Sequence, residues 1–179
     1  DLPAGDRRMI RVEVGPQPLD TGAAAEALEQ GQAGGIATFT GLVRADDGVA
    51  TLTLEHYPGM TERVLTDLAE EAVRRWSLES ATVLHRVGPM APGERIVFVG
   101  TAAAHRGAAI EAMTFLIDRL KTDAPFWKRE QRGTDASWVE ARDTDAYYRE
   151  NECFHGILYR QSGNGFLEQE SRRLHRRLQ

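Results

Sequence analysis

Lys121 and Lys128 are the only lysines among the 22 basic residues of this chain; every other one is arginine. The difference is chemical. An arginine guanidinium keeps its proton in proteins, whereas a lysine, ordinarily titrating near about 10.4, can lose its proton in a suitable pocket and serve as nucleophile or general base. Asp123, Trp127, Arg129 and Glu130 lie beside the pair in sequence, so amine, carboxylate, aromatic and guanidinium groups crowd into one short stretch. Neighbouring cations and partial burial are conditions under which a lysine becomes reactive at neutral pH. The same residues also suit a basic surface loop that Phe126 and Trp127 anchor to the core, and spacing alone does not choose between the two.

A second constellation is His105-Arg106, between the end of one apolar run and the start of a helical pattern. Backbone N–H groups and the helix dipole favour anions there; histidine adds a group that titrates near neutral pH, and arginine a bidentate phosphate donor. An ordinary polar loop is the plainer reading of those two residues.

What is missing narrows the chemistry. No Gly-rich phosphate loop, dinucleotide fingerprint or serine elbow occurs. The five histidines, at 56, 85, 105, 155 and 175, show no metal-ligand spacing, so no metal is expected in the site. His56 and His85 read as core or surface residues rather than ligands. Cys153 is the single cysteine, which rules out an internal disulfide and suits an inert packing residue. A net charge of -5 argues against a nucleic-acid-binding domain but leaves room for a local basic pocket. No stretch approaches the roughly 18 apolar residues of a membrane span, and the first residues lack the apolar core of a secretory signal, so a cytoplasmic protein is expected.

The elements that must position these groups follow from periodicity. Ile10, Val12 and Val14 alternate with polar neighbours as a strand over 8–15. Asp20 or Thr21 caps a short alanine-rich helix to about Gln30. Runs at 36–44 and 49–57, around Asp46-Asp47-Gly48, read as a β-hairpin. Val64, Leu65, Leu68, Ala69, Ala72, Val73 and Trp76 keep helical spacing over 61–76. Strands follow at 81–87 and 96–103, joined by a turn-rich 88–93. A helix over 108–120 turns Ala109, Met113, Leu116, Ile117 and Leu120 inward, with Pro125 forcing its end. Lys121 then sits on its last turn and Lys128 beyond a proline bend, with a further short strand at 137–142. Beyond 150 the pattern suggests a strand at 154–160 and a charged helix over 166–179 carrying Arg172, Arg173, Arg176 and Arg177, which reads as a solvated tail. The whole is an α+β domain with a mostly antiparallel sheet and flanking helices.

Phe-Thr-Gly-Leu-Val-Arg (39–44), Leu-Glu-His-Tyr-Pro-Gly-Met (54–60), His-Arg-Val-Gly (85–88), Ala-His-Arg (104–106) and Leu-Lys-Thr-Asp-Ala-Pro-Phe-Trp-Lys-Arg-Glu (120–130) closely resemble the large subunit of molybdopterin synthase in order and spacing. The resemblance implies an α/β hammerhead-type domain over 9–148, flanked by an N-terminal extension over 1–8 and a C-terminal extension over 149–179 without counterpart in the family. It implies a homodimer that becomes a heterotetramer with two small ubiquitin-like sulfur-carrier subunits, whose thiocarboxylate tail is threaded beside Lys121. Lys121 and Lys128 would be catalytic, acting on cyclic pyranopterin monophosphate as it takes up two sulfurs. Arg44, His105 and Arg106 would hold the phosphate and pterin, Arg129 and Glu130 would support the loop, and Arg142 would reach into the neighbouring subunit's site. No cofactor is expected, because the partner brings the sulfur. Two rival readings have distinct signatures: a non-catalytic module for the tail of a ubiquitin-like protein would tolerate Lys128→Arg, and an RNA- or anion-binding protein using the C-terminal arginines would lose affinity steeply with salt.

Overall fold

The computed structural model describes residues 9–44, 48–132 and 135–138. In chain order they form β1 (Met9–Gly15), α1 (Thr21–Leu28), β2 (Gly35–Leu42), β3 (Val49–His56), α2 (Met60–Trp76), β4 (Ser80–Arg86), β5 (Gly88–Met90), β6 (Arg95–Ala103), α3 (Arg106–Asp123), β7 (Phe126–Arg132) and β8 (Asp135–Trp138). The strands make two four-stranded sheets, ordered β1-β4-β6-β2 and β5-β3-β7-β8. Every pairing is antiparallel except β1 with β4, so the expected α+β architecture with mostly antiparallel sheets is what forms.

The first sheet is covered on both faces. On one side α2 and α3 bring Leu65, Leu68, Ala69, Ala72, Val73, Ala109, Ala112, Leu116 and Leu120 against Ala81, Val83 and Val99, while Ile10, Val12 and Val14 pack from the edge. Alanines on both helices let the backbones approach closely. On the other side α1 lays Ala24 and Leu28 over Leu84, Phe98 and Ala102. The Asp20 carboxylate caps α1 by accepting from the Ala23 N–H at 3.0 Å, satisfying one of the donors that a helix start leaves unpaired.

Three segments differ from expectation. The runs at 36–44 and 49–57 do not form a hairpin: β2 pairs with β6 in the first sheet, and β3 pairs with β5 and β7 in the second. After an irregularity at Gly41/Leu42 the chain leaves the first sheet, with Val43 held in backbone bonds to Gly93 and Glu94. Val43, Leu52, Leu54 and Met90 then bury one another in a separate apolar cluster. Alternation identified both strands but carries no information about their partners. The second difference is β7, whose residues resemble a loop because positions 126, 128 and 130, on one face, hold Phe, Lys and Glu rather than an apolar run. The turn at 88–93 likewise contains the short strand β5, and of the strand expected at 137–142 only 137 and 138 are described, within β8.

Candidate active site

β7 places the lysines' surroundings by register. Across the ladder Leu54 faces Lys128, Leu52 faces Glu130 and His56 faces Phe126. Directly opposed residues share a face, so Lys128 and Glu130 project to the same side as the buried Leu52 and Leu54, and Arg129 projects to the other. The Lys128 ammonium lies 2.8 Å from a Glu130 carboxylate oxygen, with side-chain exposures of 45% and 11%. The carboxylate is the buried partner, and a half-exposed ammonium covers it. Removing Lys128 would therefore take one partner from a largely buried carboxylate. Lys121 is exposed on the last turn of α3.

Between the lysines the chain reverses at Ala124-Pro125-Phe126, where the Phe126 N–H donates to the Ala124 carbonyl at 2.9 Å, closing a three-residue turn about the proline. The Phe126 ring stacks on the His85 imidazole, centroids 4.0 Å apart. Burial is the main cause that lowers the His85 pKa to about 4, aided by nearby His56 and opposed by a backbone hydrogen bond. The Arg86 carbonyl can only accept, so His85 Nδ1, 3.0 Å away, carries the proton and donates it. His56 lies 3.6 Å from the Glu62 carboxylate, which also accepts from the Gly59 N–H at the start of α2.

His105 is the N-cap of α3 and Arg106 its first residue, both exposed, as the strand-to-helix reading expects. The junction is held against β2 by two glycines. A Cβ on Gly34 would overlap the Ala104 carbonyl oxygen, and one on Gly35 would stand 2.9 Å from the Arg106 Cα. Gly34→Ala is therefore expected to destabilise the protein by about 1–3 kcal/mol, because backbone rather than a flexible side chain must move. Urea unfolding measures it, and an unchanged midpoint would show that the junction yields freely.

The expected site residues do not all come together in one chain. Fifteen residues of α3 separate Arg106 from Lys121, roughly 22 Å at a helix's rise per residue. β2 leaves the same junction in the same direction as α3, so Arg44, just past its end, lies toward the lysine end, roughly 25–30 Å from His105. The lysines, Arg44 and Glu130 thus occupy one end of the first sheet, and His105-Arg106 the other. Arg142 lies outside the described residues, as do Cys153 and the segments at 154–160 and 166–179. A cleft of about 660 Å³ runs beside β1, lined among others by Arg11, Glu13, Gln17, Asp20, Glu62 and His85, and neither lysine lines it. Among the described residues no cluster of His, Cys, Asp or Glu is placed to hold a metal, and no helix is long and apolar enough to cross a membrane.

Comparison with known proteins adds an independent line. The family model described as MoaE protein matches residues 14–123. The molybdopterin synthase catalytic subunit of Escherichia coli is 50% identical over 139 residues, covering 75% of this chain and 93% of that protein. The molybdopterin biosynthesis MoaE protein of Burkholderia ambifaria superimposes with a TM-score of 0.65 at 41% identity, over 79% of this chain and 97% of that one. A complex of subunits 1 and 2 of molybdopterin-converting factor from Helicobacter pylori shares the fold, with a TM-score of 0.64 at 20% identity over 74% and 91% of the chains.

Proposed function

This chain belongs to the MoaE family, the catalytic subunits of molybdopterin synthase, and from that premise we propose that it carries two sulfurs from a thiocarboxylated small subunit onto cyclic pyranopterin monophosphate at a site completed by a second copy of itself. The observation that carries the composite site is the separation just described. His105-Arg106 suits a phosphate and the Lys121–Lys128 segment suits the reacting atoms, yet α3 holds them roughly 22 Å apart, too far for one small molecule to bridge. In a two-fold dimer the anion-binding end of one protomer can face the lysine end of the other. Arg142 of the neighbour would join the same site, and two small subunits would make the assembly a heterotetramer.

In each transfer the thiocarboxylate sulfur displaces an oxygen from a carbon of the pterin side chain, that oxygen leaving as a freed phosphate oxygen or, once protonated, as water. A second water then hydrolyses the resulting thioester, returning the carrier as a carboxylate and leaving the sulfur on the pterin. One lysine handles the protons that this exchange moves, while the other holds the developing negative charge. Lys128, already paired with Glu130, is oriented before substrate arrives, and Arg44 and Arg129 add positive charge at that end. The chain needs no cofactor, since the sulfur and its activation both come with the partner.

The test mixes two inactive proteins. Wild type, thiocarboxylated carrier and cyclic pyranopterin monophosphate are expected to yield molybdopterin, and Lys121→Ala and His105→Ala/Arg106→Ala proteins separately to yield little. After subunit exchange at equal amounts, activity should return to about a quarter of wild type, because half of the dimers are mixed and each holds one intact site. No recovery, in dimers shown to have exchanged, would place both halves of the site in one protomer and end the composite reading.

A further inference from the structure

Thr61 is fully buried near the start of α2, remote in sequence from either lysine. Its Oγ1 lies 3.2 Å from the Tyr57 N–H, from which it accepts, and 3.4 Å from the Pro125 carbonyl, to which it donates. The second bond is long, but no water reaches this hydroxyl, so the two backbone groups are its partners. Pro125 is the centre of the turn that separates Lys121 on α3 from Lys128 on β7. One buried side chain therefore ties the end of β3 and the start of α2 to the point about which the two lysines are set relative to one another. The turn's other side is held by the Phe126 ring stacked on His85.

We infer that Thr61 is a positioning residue, clamping the Pro125 turn so that the Lys121 and Lys128 amines keep the separation the reaction needs. This rests on the reading that both lysines take part. Proline's fixed φ and the Phe126 N–H bond to the Ala124 carbonyl shape the turn, while the donor on the Pro125 carbonyl ties that turn to α2 and so sets where β7 starts. Among the described residues none restrains the exposed Lys121 in a comparable way, and the clamp acts on the segment rather than on either amine. Misplacement of reacting groups by about 1 Å can cost on the order of 100-fold in rate, and losing one of three restraints on the turn should cost less.

The experiment compares Thr61→Val, which keeps the shape and removes the hydroxyl, with Thr61→Ser, which keeps the hydroxyl. Rates are normalised to folded protein. Thr61→Val is expected to lower kcat about tenfold with KM for the pterin phosphate within twofold, and Thr61→Ser to restore most of kcat. A second readout needs no turnover. With two lysine side chains in the chain, a short bifunctional amine reagent reports their separation by peptide mass, and its intramolecular Lys121–Lys128 product should fall several-fold in Thr61→Val but not in Thr61→Ser. Wild-type cross-link yield and kcat in Thr61→Val would overturn the assignment, as would equal losses in both variants, which is what general loosening gives. If wild type makes no molybdopterin the functional reading fails instead, and the cross-link still decides the clamp.

Discussion

Lys128→Arg will lower molybdopterin formation by at least about 100-fold while leaving the protein folded, with Lys128 as the lysine that moves protons, since such a group contributes on the order of 100- to 10,000-fold. Lys121→Ala will do the same by removing the charge that faces the developing anion. Arginine is the informative replacement at 128. It keeps a positive charge within reach of the buried Glu130 carboxylate, so a loss of rate cannot be put down to removing a cation from beside that carboxylate. What it removes is an amine that can give up its proton. Lys128→Ala would confound the two effects. At 121 the side chain is exposed, so alanine removes the amine with little cost to packing. Single-turnover assays with thiocarboxylated carrier, beside thermal unfolding of each variant, separate chemistry from stability. Activity in Lys128→Arg above half that of wild type would show that position 128 needs charge but not titration, and would take Lys128 out of the proton transfers.

The lysine pair was visible in the sequence because composition isolated it: two amines among arginines, seven residues apart, within a segment matching a specific motif. Most helices and strands were visible too, since Leu65, Leu68, Ala72 and their neighbours, or Ile10, Val12 and Val14, carry the period of the element that buries them. Pairing was not. β2 and β3 follow one another across a turn signal, yet Val43, Leu52 and Leu54 gain more by burying Met90 with a different sheet than by closing a hairpin. β7 was hidden for the opposite reason: on the face it shares with Leu52 and Leu54 it carries Lys128 and Glu130, which a hydrophobic period cannot report. The distance between His105 and Lys121 was latent, because a helix over 108–120 already spans most of that gap. Thr61 carried no signal at all. A threonine on an amphipathic helix looks like any other until the turn it meets, at Pro125, is placed beside it.

Acid should weaken this protein through His85. Its imidazole is held neutral down to about 4, chiefly by burial, whereas in the unfolded chain it takes a proton near about 6.5. Between these values the unfolded state binds more protons, so stability rises with pH across the window. The contribution is complete above about 6.5 and is lost as pH falls toward 4, a change of about 3 kcal/mol. His85→Phe keeps an aromatic ring against Phe126 and removes the titration. Urea unfolding at pH 7.5 and pH 4.5 should therefore show a larger drop in wild type than in the variant, with the carboxylates common to both cancelling in the comparison. Equal drops would mean that His85 takes its proton in the folded state much as it does in the unfolded one. The same stacking contact supports the first residue of β7, so a proton forced onto His85 acts where the strand bearing Lys128 begins.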